Sequence, residues 1–274
     1  MVNHMAMISV HDASFSYEKQ PVFSHIGLQV GAAEVFCIAG PNGCGKTTLL
    51  DCMLGVKKLQ SGKVSINGKN INCLKPRDIA GYVAYVPQAH EKTFPYTVME
   101  IVLMGRAFQT GIFSSPSGED RKIAEQAIET VGLAKYKHRP YTQLSGGEGQ
   151  MVLIARALAQ NSKVIIMDEP TAHLDFKHEL TVLEMIVRLV KESGISVVMA
   201  THFLNHAFYF ENNDIPTTIA LMDNKDISIA GQPSAVLTQN NIQSIYNIQS
   251  TIISLKSKTG RMLNQIIPIS AASK

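Results

Sequence analysis

Val35-Phe-Cys-Ile-Ala39, Gly40-Pro-Asn-Gly-Cys-Gly45 and Lys46-Thr-Thr48 form one continuous stretch: an apolar run, a glycine-rich turn and a helix-forming segment reaching about Leu54. The apolar run reads as a strand buried on both faces, and Gly55 suits the C-terminal cap of the helix. Gly40 to Thr47 has the spacing G-x-x-x-x-G-K-[ST], and strand, turn and helix supply the context that gives this spacing a mechanism. Glycines let successive backbone N–H groups converge on phosphate, and the helix N-terminus adds partial positive charge. The candidate phosphate-contacting residues are Gly40, Asn42, Gly43, Cys44, Gly45, Lys46, Thr47 and Thr48. Lys46 would reach the β- and γ-phosphates of a nucleotide, and the Thr47 hydroxyl would ligate Mg2+. A chance match in a chain of 274 residues is on the order of one in a hundred. The bland alternative is a glycine-rich turn with an exposed lysine.

Working outward, short β-rich runs alternate with helical stretches, which argues for an α/β fold with a central sheet. Lys63–Ile66 reads as one arm of a hairpin closed by Asn67-Gly68, and 82–86 as a further strand, so residues 1 to about 87 mix strands with one helix. Thr97 with Glu100 forms a capping box, and Ser117-Gly-Glu-Asp120 opens a second helix ending near Gly132. Residues 163–167 and 195–200 read as strands around a helix at 180–190, and 217–222 and 226–230 as a late hairpin. Nothing after about residue 250 carries a signal. The expected organisation is one domain over 1–250, with 1–88 and 156–250 as core, 89–155 as a helical subdomain, and 251–274 as a tail.

Composition narrows the function classes. Apolar residues make up 45%, charged residues 17%, and basic exceed acidic residues by only three, with Lys and Arg spread along the chain. These proportions exclude a disordered chain and weigh against nucleic-acid binding. Cys37, Cys44, Cys52 and Cys73 include no CxxC pair and read as reduced thiols of a cytosolic setting. The N-terminus lacks the charged and apolar regions of a secretory signal. No apolar run approaches the roughly 18 residues of a membrane span.

Two further stretches carry chemistry. Val164-Ile-Ile-Met-Asp168-Glu169 ends an apolar strand in two carboxylates, at the sheet edge where open α/β folds bind ligands. Asp168 would hold Mg2+ through water, and Glu169 would orient or deprotonate the attacking water. Leu144-Ser-Gly-Gly-Glu148 precedes a helical run over 151–159. Five specified residues at ordinary frequencies arise by chance in well under about one chain in a thousand.

With that signature the chain resembles ATP-binding cassette (ABC) proteins over nearly its whole length, with the family's motifs in order. The resemblance implies a P-loop NTPase core of RecA-like type, an antiparallel β subdomain and an inserted α-helical subdomain. It implies that Tyr17 stacks on adenine, that Gln88 senses Mg2+ and the water, and that His202 touches the γ-phosphate. Asp175 lies in the loop that crosses a dimer interface. Ser145, Gly146 and Gly147 form a second anion site that docks on ATP held by the opposite subunit of a head-to-tail homodimer. Catalytic roles thus fall to Glu169, His202 and Gln88, and Mg2+ to Thr47, Gln88 and Asp168. Gly149 departs from the family's long polar side chain and Phe203 from its usual acid; glycine inside a helix costs up to ~1 kcal/mol and removes a possible interface contact.

A single cassette without a span resembles the separate ATPase subunit of an importer. The implied partners are an integral membrane permease dimer and, indirectly, a substrate-binding protein, with the chain peripheral on the cytoplasmic face. Pro95–Arg106 and Leu74-Lys-Pro-Arg77 are similar to ATPases of iron-siderophore, haem and cobalamin importers; molybdate or tungstate import and a soluble non-transport ABC ATPase are the alternatives. Residues 89–106 are the candidate permease-docking surface, although their apolar members could equally pack the helical subdomain. A P-loop kinase or GTPase would lack the signature, and Asn224-Lys-Asp-Ile227 fails the NKxD guanine reader. A non-catalytic sensor is disfavoured by the presence of both Asp168 and Glu169.

Overall fold

The computed structural model describes residues 6–88, 94–109, 115–258 and 260–271. The chain opens with β1 (Ile8–Tyr17), β2 (Gln20–Val30), β3 (Val35–Ala39), α1 (Lys46–Met53), β4 (Ser61–Ile66), β5 (Lys69–Asn70), α2 (Pro76–Tyr82) and β6 (Val83–Val86). There follow α3 (Val98–Leu103), α4 (Gly118–Thr130), α5 (Gly146–Ala159), β7 (Val164–Asp168), α6 (Phe176–Ser193) and β8 (Ser196–Thr201). The last elements are α7 (Asn205–Asn212), β9 (Thr217–Asp223), β10 (Asp226–Gly231), α8 (Pro233–Val236), α9 (Gln239–Tyr246), β11 (Ile248–Lys256) and β12 (Met262–Ala271). The chain divides into two compact units, Met1–Cys73 with Val187–Lys274, and Leu74–Ile186.

In the first unit β2, β1, β4 and β5 form an antiparallel sheet in that order. Beside it β3 runs parallel to both β8 and β9, and β9 pairs with β10. All five residues of β3 are buried, as expected of a strand covered on both faces. The two short turns have the φ > 0 pairs that tight hairpins require: Asn67 and Gly68 at φ 48° and 76°, Asn224 and Lys225 at 48° and 69°.

After residue 250, where no signal was legible, the described residues include a β-hairpin. β11 pairs antiparallel with β12 from Ile248↔Ala271 to Lys256↔Met262. Two asparagines of α7 hold it: Asn205 Nδ2 donates to the Ile266 carbonyl (3.1 Å) while its Oδ1 accepts from the Ile266 N–H (2.8 Å). Asn212 does the same with Asn264, at 3.0 Å in both directions. Each side-chain amide thus replaces a neighbouring strand. Ile252-Ile253 and Ile266-Ile267 place apolar residues on both faces of the hairpin, so no polar–apolar alternation advertises the strands.

In the second unit β6 and β7 pair in parallel, with Val86 opposite Met167, and α3, α4 and α5 pack against one another. The expected capping boxes at Thr97 and Ser117 are present, opening α3 and α4. The expectation of one helix before residue 87 is corrected by α2, which none of its side chains buries; a helix without a buried stripe leaves no periodicity to read. At Gly105 a Cβ would lie 2.2 Å from the Arg156 carbonyl oxygen, so glycine permits this close approach.

Arg106 locks the three helices. Its Nε donates to Asp120 Oδ1 (3.0 Å) and its Nη1 to the Ala159 carbonyl (2.8 Å), with both residues of the pair buried. The Ser117 hydroxyl and N–H, and then Arg106, hold the Asp120 carboxyl below its ordinary 3.8, at about 2. A lowered folded-state pKa stabilises above the unfolded value and is lost as pH falls through the folded one. Urea midpoints of wild type and Asp120→Asn should therefore differ by a constant amount near neutrality, converge below about pH 4 and have lost most of their separation by pH 2. A gap undiminished at pH 2 would remove this carboxylate from the acid response.

Candidate nucleotide site

The first unit positions the phosphate loop. β3 delivers the chain to Gly40 and α1 leaves from Gly45, which sits at φ 104° as N-cap with no side chain capping the helix. Because the first N–H groups of a helix have no partner within it, and no acidic residue occupies this first turn, the turn is suited to an anion. Lys46 is 6% exposed; its Nζ donates to the carbonyls of Gly40 (2.9 Å) and Pro41 (3.3 Å), arching over the loop. Gly40 admits no side chain, since a Cβ would lie 2.3 Å from the Met222 carbonyl oxygen and 2.8 Å from Cys44 Sγ. Burial raises the Cys44 pKa against the opposing charge of Lys46.

The neighbouring strands bring two further expected residues to this loop. Ala39 of β3 lies opposite Thr201 of β8, so Gly40 and His202 leave adjacent strands at the same level, about 4.8 Å apart in the pairing direction. The His202 ring lies against Phe203, tilted by 41° with centroids 3.9 Å apart, and the Phe203 ring in turn lies 5.2 Å from that of His206. The aromatic that replaces the expected acid thus lies beside the histidine. Tyr17 closes β1 half-exposed, edge-on to Phe15 at 5.0 Å; Phe15 meets Phe23 at 6.0 Å, and Phe23 lies against Gly45.

The second unit carries the acids and the signature. Asp168 ends β7 at 3% exposure, and Glu169 follows at φ 45°, a left-handed backbone that costs roughly 1–3 kcal/mol and clusters at functional sites. The register of β6 on β7 sets Gln88 beside it, and Gln88 Nε2 donates to Glu169 Oε2 at 3.1 Å. Ser145 caps α5: its Oγ accepts from the Glu148 N–H (3.2 Å), and Glu148 Oε2 accepts from the Ser145 N–H (2.9 Å). That bond lowers the Glu148 pKa. Gly149 is buried, its carbonyl accepting from the Tyr141 hydroxyl at 3.5 Å.

Asp175 caps α6, its Oδ1 accepting from the His178 N–H at 2.9 Å, and this bond lowers its pKa. His178 escaped the sequence reading: it lies three residues after Asp175, but only folding sets it against Gly147. Of the candidate docking surface, residues 89–93 lie outside the described residues; Val98, Ile101 and Val102 are core, whereas Phe94, Tyr96 and Met104 are exposed. Met99, Leu103, Met104, Pro116, Arg121 and His138 line a cavity of about 620 Å³ beside them.

The profile of the ABC transporter family matches residues 23–172. The chain belongs to the ABC transporter family. An ABC transporter ATP-binding protein of Haemophilus influenzae is 34% identical over 90% of this chain and 92% of its own length. The iron(3+)-hydroxamate import ATP-binding protein FhuC of Bacillus subtilis is 34% identical over 91% of both chains. Among solved structures, an inward-facing ABC transporter described as of metal-chelate type is 28% identical, with a TM-score of 0.84 over 97% of this chain and 98% of that one. A dimeric ATP-binding cassette with ADP and phosphate bound is 26% identical, with a TM-score of 0.69 over 83% and 99%. This ABC protein therefore has its family's α/β fold.

Proposed function

We propose that this chain is the ATP-hydrolysing subunit of an importer that takes up a metal chelate, of iron-siderophore, haem or cobalamin type, through a separate membrane permease. The observation that carries the ATPase reading is the buried Lys46 arched over a glycine loop at an uncapped helix start. Likeness to the iron-hydroxamate ATPase and to a petrobactin import ATPase of Bacillus anthracis, 32% identical over 90% of this chain, supports the cargo class. Molybdate is the second reading, favoured by a molybdate import ATPase of Haemophilus influenzae that is 31% identical over 88%.

In this reading Tyr17 stacks on adenine, the N–H groups from Gly40 to Thr48 and the Lys46 ammonium hold the phosphates, and Glu169 takes the proton of the attacking water while Gln88 and His202 orient it. Thr47, Asp168 and Gln88 offer hydroxyl, carboxylate and amide oxygens, the hard donors that suit Mg2+. When bound, Mg2+ neutralises charge on the phosphates. Ser145, Gly146 and Gly147 dock on the nucleotide of a second copy, with Asp175 at the same dimer interface. ATP binding closes this dimer, closure moves permease helices docked at Phe94, Tyr96 and Met104, and hydrolysis reopens it. Among the described residues no helix is long and apolar enough to cross a membrane; in this reading attachment to the cytoplasmic face runs through the permease.

Uptake by a strain lacking this chain, measured in parallel with iron-siderophore, haem, cobalamin and molybdate, tests the cargo. Loss of one chelate alone is expected; loss of molybdate alone selects the second reading, and undiminished uptake of all four removes the importer.

A further inference from the structure

The signature turn contains three glycines in five residues, Gly146, Gly147 and Gly149 between Ser145 and Gly149. Glycine populates more backbone conformations than any other residue, so such a turn needs support from outside itself. The capping box of Ser145 and Glu148 braces one side. On the other side stands His178: a Cβ on Gly147 would lie 2.0 Å from its Cδ2 and 2.3 Å from its Cγ, so the ring is packed directly against the Gly147 backbone. The opposite edge of the ring is tied down as well, with Nδ1 2.8 Å from Asp175 Oδ2. A carboxylate only accepts, so Nδ1 carries the proton. Asp175 also takes the His178 N–H on its other oxygen, which leaves the ring bonded on one edge and packed on the other.

We infer that His178 is a positioning residue: clamped by Asp175, its ring holds Gly147 and so keeps the signature turn in its nucleotide-docking shape. This rests on the proposed reading of Ser145–Gly147 as the anion site offered to a second copy. Asp175 and His178 then act as one unit, so the carboxylate sets the signature turn through an imidazole rather than by touching it.

The test uses the full chain carrying Glu169→Gln, with ATP-driven dimerisation followed by size-exclusion chromatography and ATP affinity of the monomer by fluorescent-nucleotide titration. His178→Ala should raise the ATP concentration for half-maximal dimerisation about 10-fold, the size of one lost interaction of ~1.4 kcal/mol, without changing monomer affinity. Asp175→Ala should do the same, and the double variant should be no worse than either, because groups acting as a unit are non-additive. His178→Asn keeps an N–H where Nδ1 stood but lacks the ring edge, and should behave as His178→Ala. Gly147→Ala should abolish dimerisation by collision with the ring and with the His178 Cβ, which would lie 2.7 Å away, and adding His178→Gly, which removes both, should recover it to the level of His178→Gly alone.

Dimerisation of His178→Ala at the parent's ATP concentration overturns the inference, as does a Gly147→Ala chain that stays inert once the whole His178 side chain is removed by His178→Gly. A loss of monomer affinity and melting temperature together would assign His178 to general stability instead. Failure of the Glu169→Gln parent to dimerise overturns the docking reading itself, and this inference with it.

Discussion

Changing Glu169 to Gln slows ATP hydrolysis at least ~100-fold, the lower end of what a general base contributes, and leaves ATP binding and ATP-driven dimerisation intact. The geometry supports so selective a loss. Gln88 Nε2 donates to Glu169 Oε2 at 3.1 Å, and a glutamine in that place still presents an amide oxygen to accept the bond. Size and left-handed backbone position are kept; what disappears is the capacity to take a proton from water. Steady-state phosphate release and size-exclusion chromatography in Mg-ATP measure the two halves separately. Turnover within about 3-fold of wild type, far short of the loss expected of a general base, would exclude Glu169 from that role.

Lys46→Ala acts on binding instead. Hydrogen bonds to charged groups contribute about 1.5–3 kcal/mol, so ATP affinity should fall roughly 10- to 100-fold. The loop suffers as well, because the carbonyls of Gly40 and Pro41 lose the ammonium that spans them. Titration with a fluorescent ATP analogue gives the affinity directly. Lys137→Ala is the control: it removes the same charge from a partly exposed pair with Glu125, 2.9 Å away, and exposed pairs are worth at most about 1 kcal/mol. Equal losses in the two variants would reduce Lys46 to a contribution of net charge.

Much of this arrangement is local, and local structure is written in consecutive residues. The glycines of the phosphate loop, the boxes Thr97/Glu100 and Ser117/Asp120, and the Asn67-Gly68 turn each depend on backbone angles and hydrogen bonds spanning two to four residues. Their signals could be read without a neighbour in space. The apolar runs at 35–39 and 164–167 were equally plain, because burial on both faces needs an uninterrupted run.

α2, the C-terminal hairpin and His178 were hidden for three different reasons. α2 buries nothing, so it has no stripe. The hairpin presents apolar residues on both faces, and it is held by asparagines of α7, 52 to 61 positions earlier in the chain. His178 acquires its meaning only from a glycine 31 positions away, and no feature of a lone histidine in a first helical turn announces which backbone it will press against.

By itself, then, the amino-acid sequence determined the membership of the chain in its family, the phosphate loop and the identities of the acids, because these rest on short-range conformational preference and on residue types at set spacings. Tertiary structure alone decided that Gln88 meets Glu169, that Gly149 is buried and that Asp175 grips the ring beneath Gly147. Contacts between distant positions are selected by how whole elements pack, and packing depends on every side chain at once.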